Sequence, residues 1–84
     1  MGGKDLAIEG IKIFPNPFTN EFTIISENNL SVINIYDLTG RIVEVHENIL
    51  SDQEIKCGSS LSGGIYIAEI ISSDERKIVK MVKE

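Results

Sequence analysis

The sequence predicts an all-β domain, an antiparallel sandwich of about seven short strands. Three observations point there. Isoleucine occurs 15 times and valine 5 times, against two alanines, and branching at Cβ fits a pleated sheet better than a helix. No stretch of helical length carries an apolar stripe at spacings of three and four. Apolar runs of strand length recur instead, closed by turn residues every eight to twelve positions or roughly so, as in two-sheet sandwiches.

The first run, residues 6–14, ends at Pro15-Asn16-Pro17. Neither proline has a backbone donor, so sheet pairing stops here or moves to an edge. Asn16 precedes a proline and is pushed into an extended conformation, making the segment a rigid corner. Both X-Pro bonds are open to the cis form, which sequence alone does not decide. Residues 21–26 alternate, with Phe22 and Ile24 on one face and Glu21 and Thr23 on the other. Asn28-Asn29 breaks that run. Residues 31–38 follow, with Ile33 and Ile35 facing one way and Asn34 and Tyr36 the other.

Asp37-Leu38-Thr39-Gly40 is the strongest turn signal in the chain. Aspartate opens a type I turn, and glycine fits the left-handed position that makes a bulged hairpin. The return strand, residues 41–46, presents Val43 and Val45 as its inward pair and sends His46 outward. Residues 47–50 have no clear period and read as loop or weak strand. Residues 53–57 form a short strand centred on Ile55, and Gly58-Ser59-Ser60 and Ser62-Gly63-Gly64 make a small-residue corner around Leu61. Residues 65–71 are almost continuously apolar, which suits a central strand covered on both sides. Glu69 is its one charge, so Tyr66, Ala68 and Ile70 are placed inward. After a turn at 72–75, residues 77–82 form a final strand whose inward face the pattern leaves open. The spacing of Leu61 and Tyr66 matches the tyrosine corner of immunoglobulin-like sandwiches, where the phenol bonds backbone just upstream.

Eighty-four residues make one domain. Residues 1–5 read as a leader or linker, and 6–84 as the domain itself. A net charge of −5, with 13 acids against 8 bases, offers no basic patch for nucleic acid. Near-average apolar and charged fractions, 42% and 25%, argue for a folded chain. No apolar run approaches the ~20 residues of a helical membrane span. A lone cysteine, Cys57, allows no internal disulfide and no multi-cysteine metal site.

No catalytic constellation is visible. Nucleophilic catalysis needs a Ser or Cys beside a base, and the single histidine, His46, is read as a solvated surface residue. Cys57 is read as a small half-buried hydrophobe. Asp37, Asp52 and Asp74 are scattered over separate loops, unlike the spaced oxygens of a calcium site. With no Trp, two Tyr and three Phe, an aromatic platform for sugars is missing. The sequence therefore implies no cofactor, no metal and no small-molecule substrate. Lys77, Lys80 and Lys83 in the last strand are the remaining feature. Lys77 and Lys83 share one face and Lys80 takes the other. They serve either to deter edge-to-edge pairing or as a strip that a receptor reads by strand addition.

Three phrases occur in order: Phe14-Pro15-Asn16-Pro17-Phe18, Ile35-Tyr36-Asp37-Leu38-Thr39-Gly40-Arg41 and Gly64-Ile65-Tyr66, followed by Lys77-Ile78-Val79-Lys80. Together, over residues 11–84, they resemble the C-terminal sorting domain of the type IX (Por) secretion system, type A. The resemblance implies an immunoglobulin-like sandwich that acts as an address label on a larger exported cargo. Such cargo folds in the periplasm, crosses an outer-membrane translocon that recognises the domain, and reaches the cell surface or the medium. A sortase-like surface protease then removes the domain, and the cargo is released or joined to lipopolysaccharide. By position, Gly40, Gly64, Tyr66, Lys77 and Lys80 match the family motifs, with Lys83 in the same strand. Pro15, Asn16, Pro17 and Asp37 carry structural motif roles. Gly63 doubles the usual single glycine and leaves the register of that corner open. A dimer through exposed edges is compatible with so short a sandwich. The rival reading is a passive immunoglobulin- or fibronectin-like spacer, or a carbohydrate-binding module, of a surface enzyme; a small enzyme has almost no support.

Overall fold

A computed structural model describes residues 6–8, 10–73 and 75–84. Residues 1–5, expected to be a leader or linker, lie outside the described residues, as does Asp74. Eight strands and no helix are present among those described: β1 (Leu6–Ile8), β2 (Ile11–Phe14), β3 (Phe22–Ser26), β4 (Leu30–Tyr36), β5 (Ile42–Ile49), β6 (Ile55–Cys57), β7 (Gly64–Ile71) and β8 (Arg76–Lys83). They form two four-stranded antiparallel sheets, ordered β1-β2-β3-β6 and β5-β4-β7-β8. This is an immunoglobulin-like β-sandwich.

The core lies between the sheets. Sheet one supplies Ile11, Ile13, Phe22, Ile24, Ile55 and Cys57; sheet two supplies Ile33, Ile35, Tyr66, Ala68, Ile70, Val79 and Met81. Phe18, from the β2–β3 connection, closes one end, its ring 4.8 Å from that of Phe22 in an edge-on arrangement. The alternation expected in 21–26, 31–38 and 65–71 is therefore realised, and β8 resolves its open face by turning Val79 and Met81 inward.

Three expectations are corrected and one open reading is settled. The run 6–14 is two strands, because Gly10 takes φ +75° and turns the chain into the Ile8–Ile11 hairpin. β5 runs on to Ile49, deciding the loop-or-weak-strand reading of 47–50 for strand, since Ile49 pairs with Leu30 and both are buried. β7 is central, but only one of its faces is covered: Ile65 is 39% exposed on the outer side. Most consequentially, only Val43 of the expected inward pair in β5 packs against the core; Val45 does not. Ile35 pairs with Glu44 while Tyr36 pairs with Ile42, so Val43 is an extra residue in a bulge. One such residue reverses the facing of everything beyond it. Val45 is 46% exposed, and Glu44 and His46 stand opposite the inward Ile35 and Ile33. His46, expected outward, belongs to the inner face.

Candidate functional site

β8 is an edge strand, and its free edge is only half free. Val82 N–H donates to Asn16 Oδ1 (3.1 Å), and Val82 C=O accepts from Phe18 N–H (2.9 Å). Asn16 Nδ2 donates to Lys80 C=O (3.1 Å), and Glu84 N–H donates to Phe18 C=O (2.9 Å). Pro15 and Pro17, both preceded by cis peptide bonds, flank Asn16 and contribute no competing donor. Phe18 sits beside Lys83 in a parallel bridge, so the Pro-Asn-Pro-Phe phrase is a short side rail against the end of β8. Antiparallel strands turn alternate residues toward and away from a partner. Ile78 therefore faces away from β7 as Val82 does. Its backbone groups have no partner among the described residues, and its side chain is 49% exposed.

The three lysines of this strand part company. Lys80 is exposed on the outer face of sheet two. Lys77 opposes the inward Ile70 at the rim of an open cleft of about 500 Å³ between the sheets, shared with Ile11, Ser26, Leu30 and Asn28, and lies 3.7 Å from Glu75. Lys83 is engaged: its Nζ donates to Leu61 C=O (2.7 Å) and Gly58 C=O (2.8 Å), and stands 5.7 Å from the centre of the Phe18 ring. A lysine ammonium held by two carbonyls over a ring is a clasp for the 58–61 turn.

The remaining motif residues have local tasks. Asp37 Oδ1 accepts from Thr39 N–H, Thr39 Oγ1–H and Arg41 N–H, and Gly40 N–H closes the turn on Asp37 C=O with φ +89° at Gly40. The Thr39 hydroxyl first, then the backbone donors, hold the Asp37 carboxyl below its ordinary value. Tyr66 Oη donates to Ser62 C=O at 2.5 Å, the tyrosine corner its spacing predicted. Gly64 begins β7 opposite Lys83, against the Tyr66 ring.

The outer face of sheet two carries a cluster that the sequence did not foresee around its one charge, Glu69. Glu69, buried to 7% exposure, accepts from Asn34 Nδ2 (3.0 Å), Tyr36 Oη (2.8 Å) and Arg76 Nε. The amide of Asn34, then Arg76 and Tyr36, bring its carboxyl down to about 2. The face around it is apolar, with Ile42, Val45, Ile65 and Ile78 exposed. The i, i+2 pattern marked Glu69 as the one charge of its strand but not its burial, which needs Asn34 and Tyr36 of β4 and Arg76 of β8.

The bulge in β5 also assembles Glu44, His46 and Cys57, whose ligand-type atoms all lie within 4.8 Å of one another. His46 Nε2 and Glu44 Oε2 are 2.5 Å apart, and Glu44 Oε1 accepts from Gly58 N–H (2.9 Å). Cys57 is buried, not half-buried, and burial first, then the Glu44 and Glu21 carboxylates, push its thiol up to about 12. A thiol so protonated and so enclosed is poorly suited to attack a substrate.

The family model for the secretion system C-terminal sorting domain matches residues 12–84. No curated protein matches the chain.

Proposed function

The chain belongs to the secretion-system C-terminal sorting domain family, and from that premise we propose that it delivers a larger cargo to an outer-membrane translocon and is then cut away. As a type IX sorting signal it marks export to the cell surface or the extracellular space. The finer steps are our reading: passage through the periplasm, recognition by the translocon, removal by a sortase-like protease and release or lipopolysaccharide attachment of the cargo. The match over residues 12–84 carries the reading. The domain acts as an address and performs no chemistry on the cargo.

Within it, the recognition strip is the part of β8 that the Asn16–Phe18 rail leaves uncovered. Ile78 offers unpaired backbone groups and Lys80 an exposed ammonium, so a receptor strand laid along them gains backbone bonds and one charge contact. Lys77 adds a second cation at the cleft rim. Gly40, Gly64 and Tyr66 act by holding the scaffold that presents this strip, and Lys83 by clasping the neighbouring turn. The same edge gives two copies of the domain a surface on which to pair.

The test fuses residues 11–84 to a folded reporter in a host that has the translocon. Export of the reporter is expected, and a reporter retained in the periplasm would end the proposal. Lys77→Ala with Lys80→Ala, in a domain that stays folded, is expected to slow export. Export at the normal rate would make those lysines edge protection alone.

A further inference from the structure

We propose that Glu44, His46 and Cys57 form a three-ligand site for a zinc-class divalent cation that staples the two sheets together. The three groups lie two and eleven positions apart in sequence and match no metal-binding motif, which is why none was expected. The β5 bulge creates the site. It turns Glu44 and His46 inward, toward Cys57 at the end of β6. β5 and β6 are the edge strands of different sheets, so an ion here spans the open seam of the sandwich.

The donors suit a borderline-soft cation: one thiol, one imidazole and one carboxylate, leaving a fourth position for water. Tetrahedral zinc with bonds of ~2.0–2.3 Å places its ligands roughly 3.3–3.6 Å apart. The present atoms bracket that spacing, with His46 and Glu44 at 2.5 Å and the whole set within 4.8 Å. Rotations of about an ångström bring them to it. Glu44 is already oriented from behind by Gly58 N–H at 2.9 Å, the outer support that ligating carboxylates commonly have. His46 is partly exposed, at 28% of its side chain, and gives the ion an entry path. Glu21 adds a second carboxylate to the negative field at the sulfur. On binding, the cation replaces the Cys57 thiol proton, which leaves to solvent. The His46–Glu44 hydrogen bond breaks, and the imidazole hydrogen passes from Nε2 to Nδ1 through solvent so that Nε2 can ligate. Affinity therefore rises with pH. A sandwich of this size has a thin core, and a cross-sheet staple is a recurrent remedy.

Cobalt(II) and zinc(II) titrations of the reduced chain test the site. One cobalt per chain is expected, with a thiolate-to-cobalt charge-transfer band that zinc abolishes. Cys57→Ser should remove the band, and His46→Gln and Glu44→Gln should each weaken binding by more than about tenfold. Zinc at a hundredfold excess over Kd should raise Tm by roughly ten degrees in the unsubstituted chain. His46→Gln, at the exposed side of the cluster, serves as the variant least prone to misfold. Absence of the charge-transfer band, a Tm indifferent to zinc, or binding unchanged in His46→Gln would each overturn the site. None of these readouts depends on export, so the result stands apart from the sorting proposal.

Discussion

Asn16 completes the hydrogen bonding of Val82, a residue 66 positions away: its Oδ1 takes the Val82 N–H at 3.1 Å while its Nδ2 serves Lys80 C=O at 3.1 Å. One side-chain amide, carrying both an acceptor and a donor, thus replaces two backbone groups of a missing neighbour strand. Asn16→Ala removes both bonds and should destabilise the domain by ~1–3 kcal/mol. Asn16→Asp keeps the acceptor for Val82 but loses the donor for Lys80, and should fall between. Urea unfolding of the three proteins measures this. An alanine variant as stable as the parent would show that water replaces the amide without cost.

Gly40 and Gly58 both adopt φ +89° but for different reasons. A Cβ at Gly40 meets nothing within 4 Å, whereas at Gly58 it would stand 2.9 Å from Phe18 Cε2 and 3.3 Å from Phe22 Cε1. Gly40→Ala should cost only the left-handed backbone penalty, ~1–2 kcal/mol. Gly58→Ala adds a clash with two rings packed against each other, and should cost at least about 1 kcal/mol more. Equal losses in denaturant unfolding would mean that Phe18 moves aside freely.

Local chemistry was legible in the sequence and long-range facing was not. The Asp37–Gly40 turn, the tyrosine corner at Tyr66 and the inward sets of β3, β4 and β7 follow from nearest-neighbour patterns, and all are realised. The parity of β5 failed because a bulge depends on how two strands meet, and Ile42-Val43-Glu44-Val45 offers apolar residues on both faces. The Asn16 rail, the Lys83 clasp and the Glu69 cluster join residues 22 to 66 positions apart or draw on several strands. No period within one strand reports such partners. The Glu44–His46–Cys57 cluster inherits the β5 error directly.

Lys80 and Lys83 should separate stability from recognition. Lys83→Ala takes the ammonium donor from Leu61 C=O and leaves Gly58 C=O with only the Leu61 N–H at 3.2 Å, and should cost ~1–3 kcal/mol. Lys80→Ala, at an exposed position, should stay within about 0.5 kcal/mol of the parent. The reporter assay then assigns meaning: impaired export by the stable Lys80 variant marks a contact with the machinery. Impairment confined to Lys83→Ala would instead trace export to the fold alone.

Glu69 should make the domain acid-sensitive in a defined window. Its carboxyl, ordinarily at 4.5, is held at about 2 in the folded chain, chiefly by the Asn34 amide, then by Arg76 and Tyr36. Between those values the unfolded chain carries a proton that the folded chain does not, so stability climbs with pH there. The contribution is complete above about pH 4.5 and is lost as pH falls toward 2. Glu69→Gln should flatten the dependence of the urea midpoint on pH across this interval while lowering stability at pH 7, because Arg76 loses its charged partner. Asp37, also depressed, keeps a residual slope in that variant, which Asp37→Asn should reduce. Arg76→Ala should retain part of the Glu69 slope, since the Asn34 and Tyr36 bonds persist. An unchanged slope in Glu69→Gln would mean that the carboxylate gains nothing from its three partners that water does not also supply.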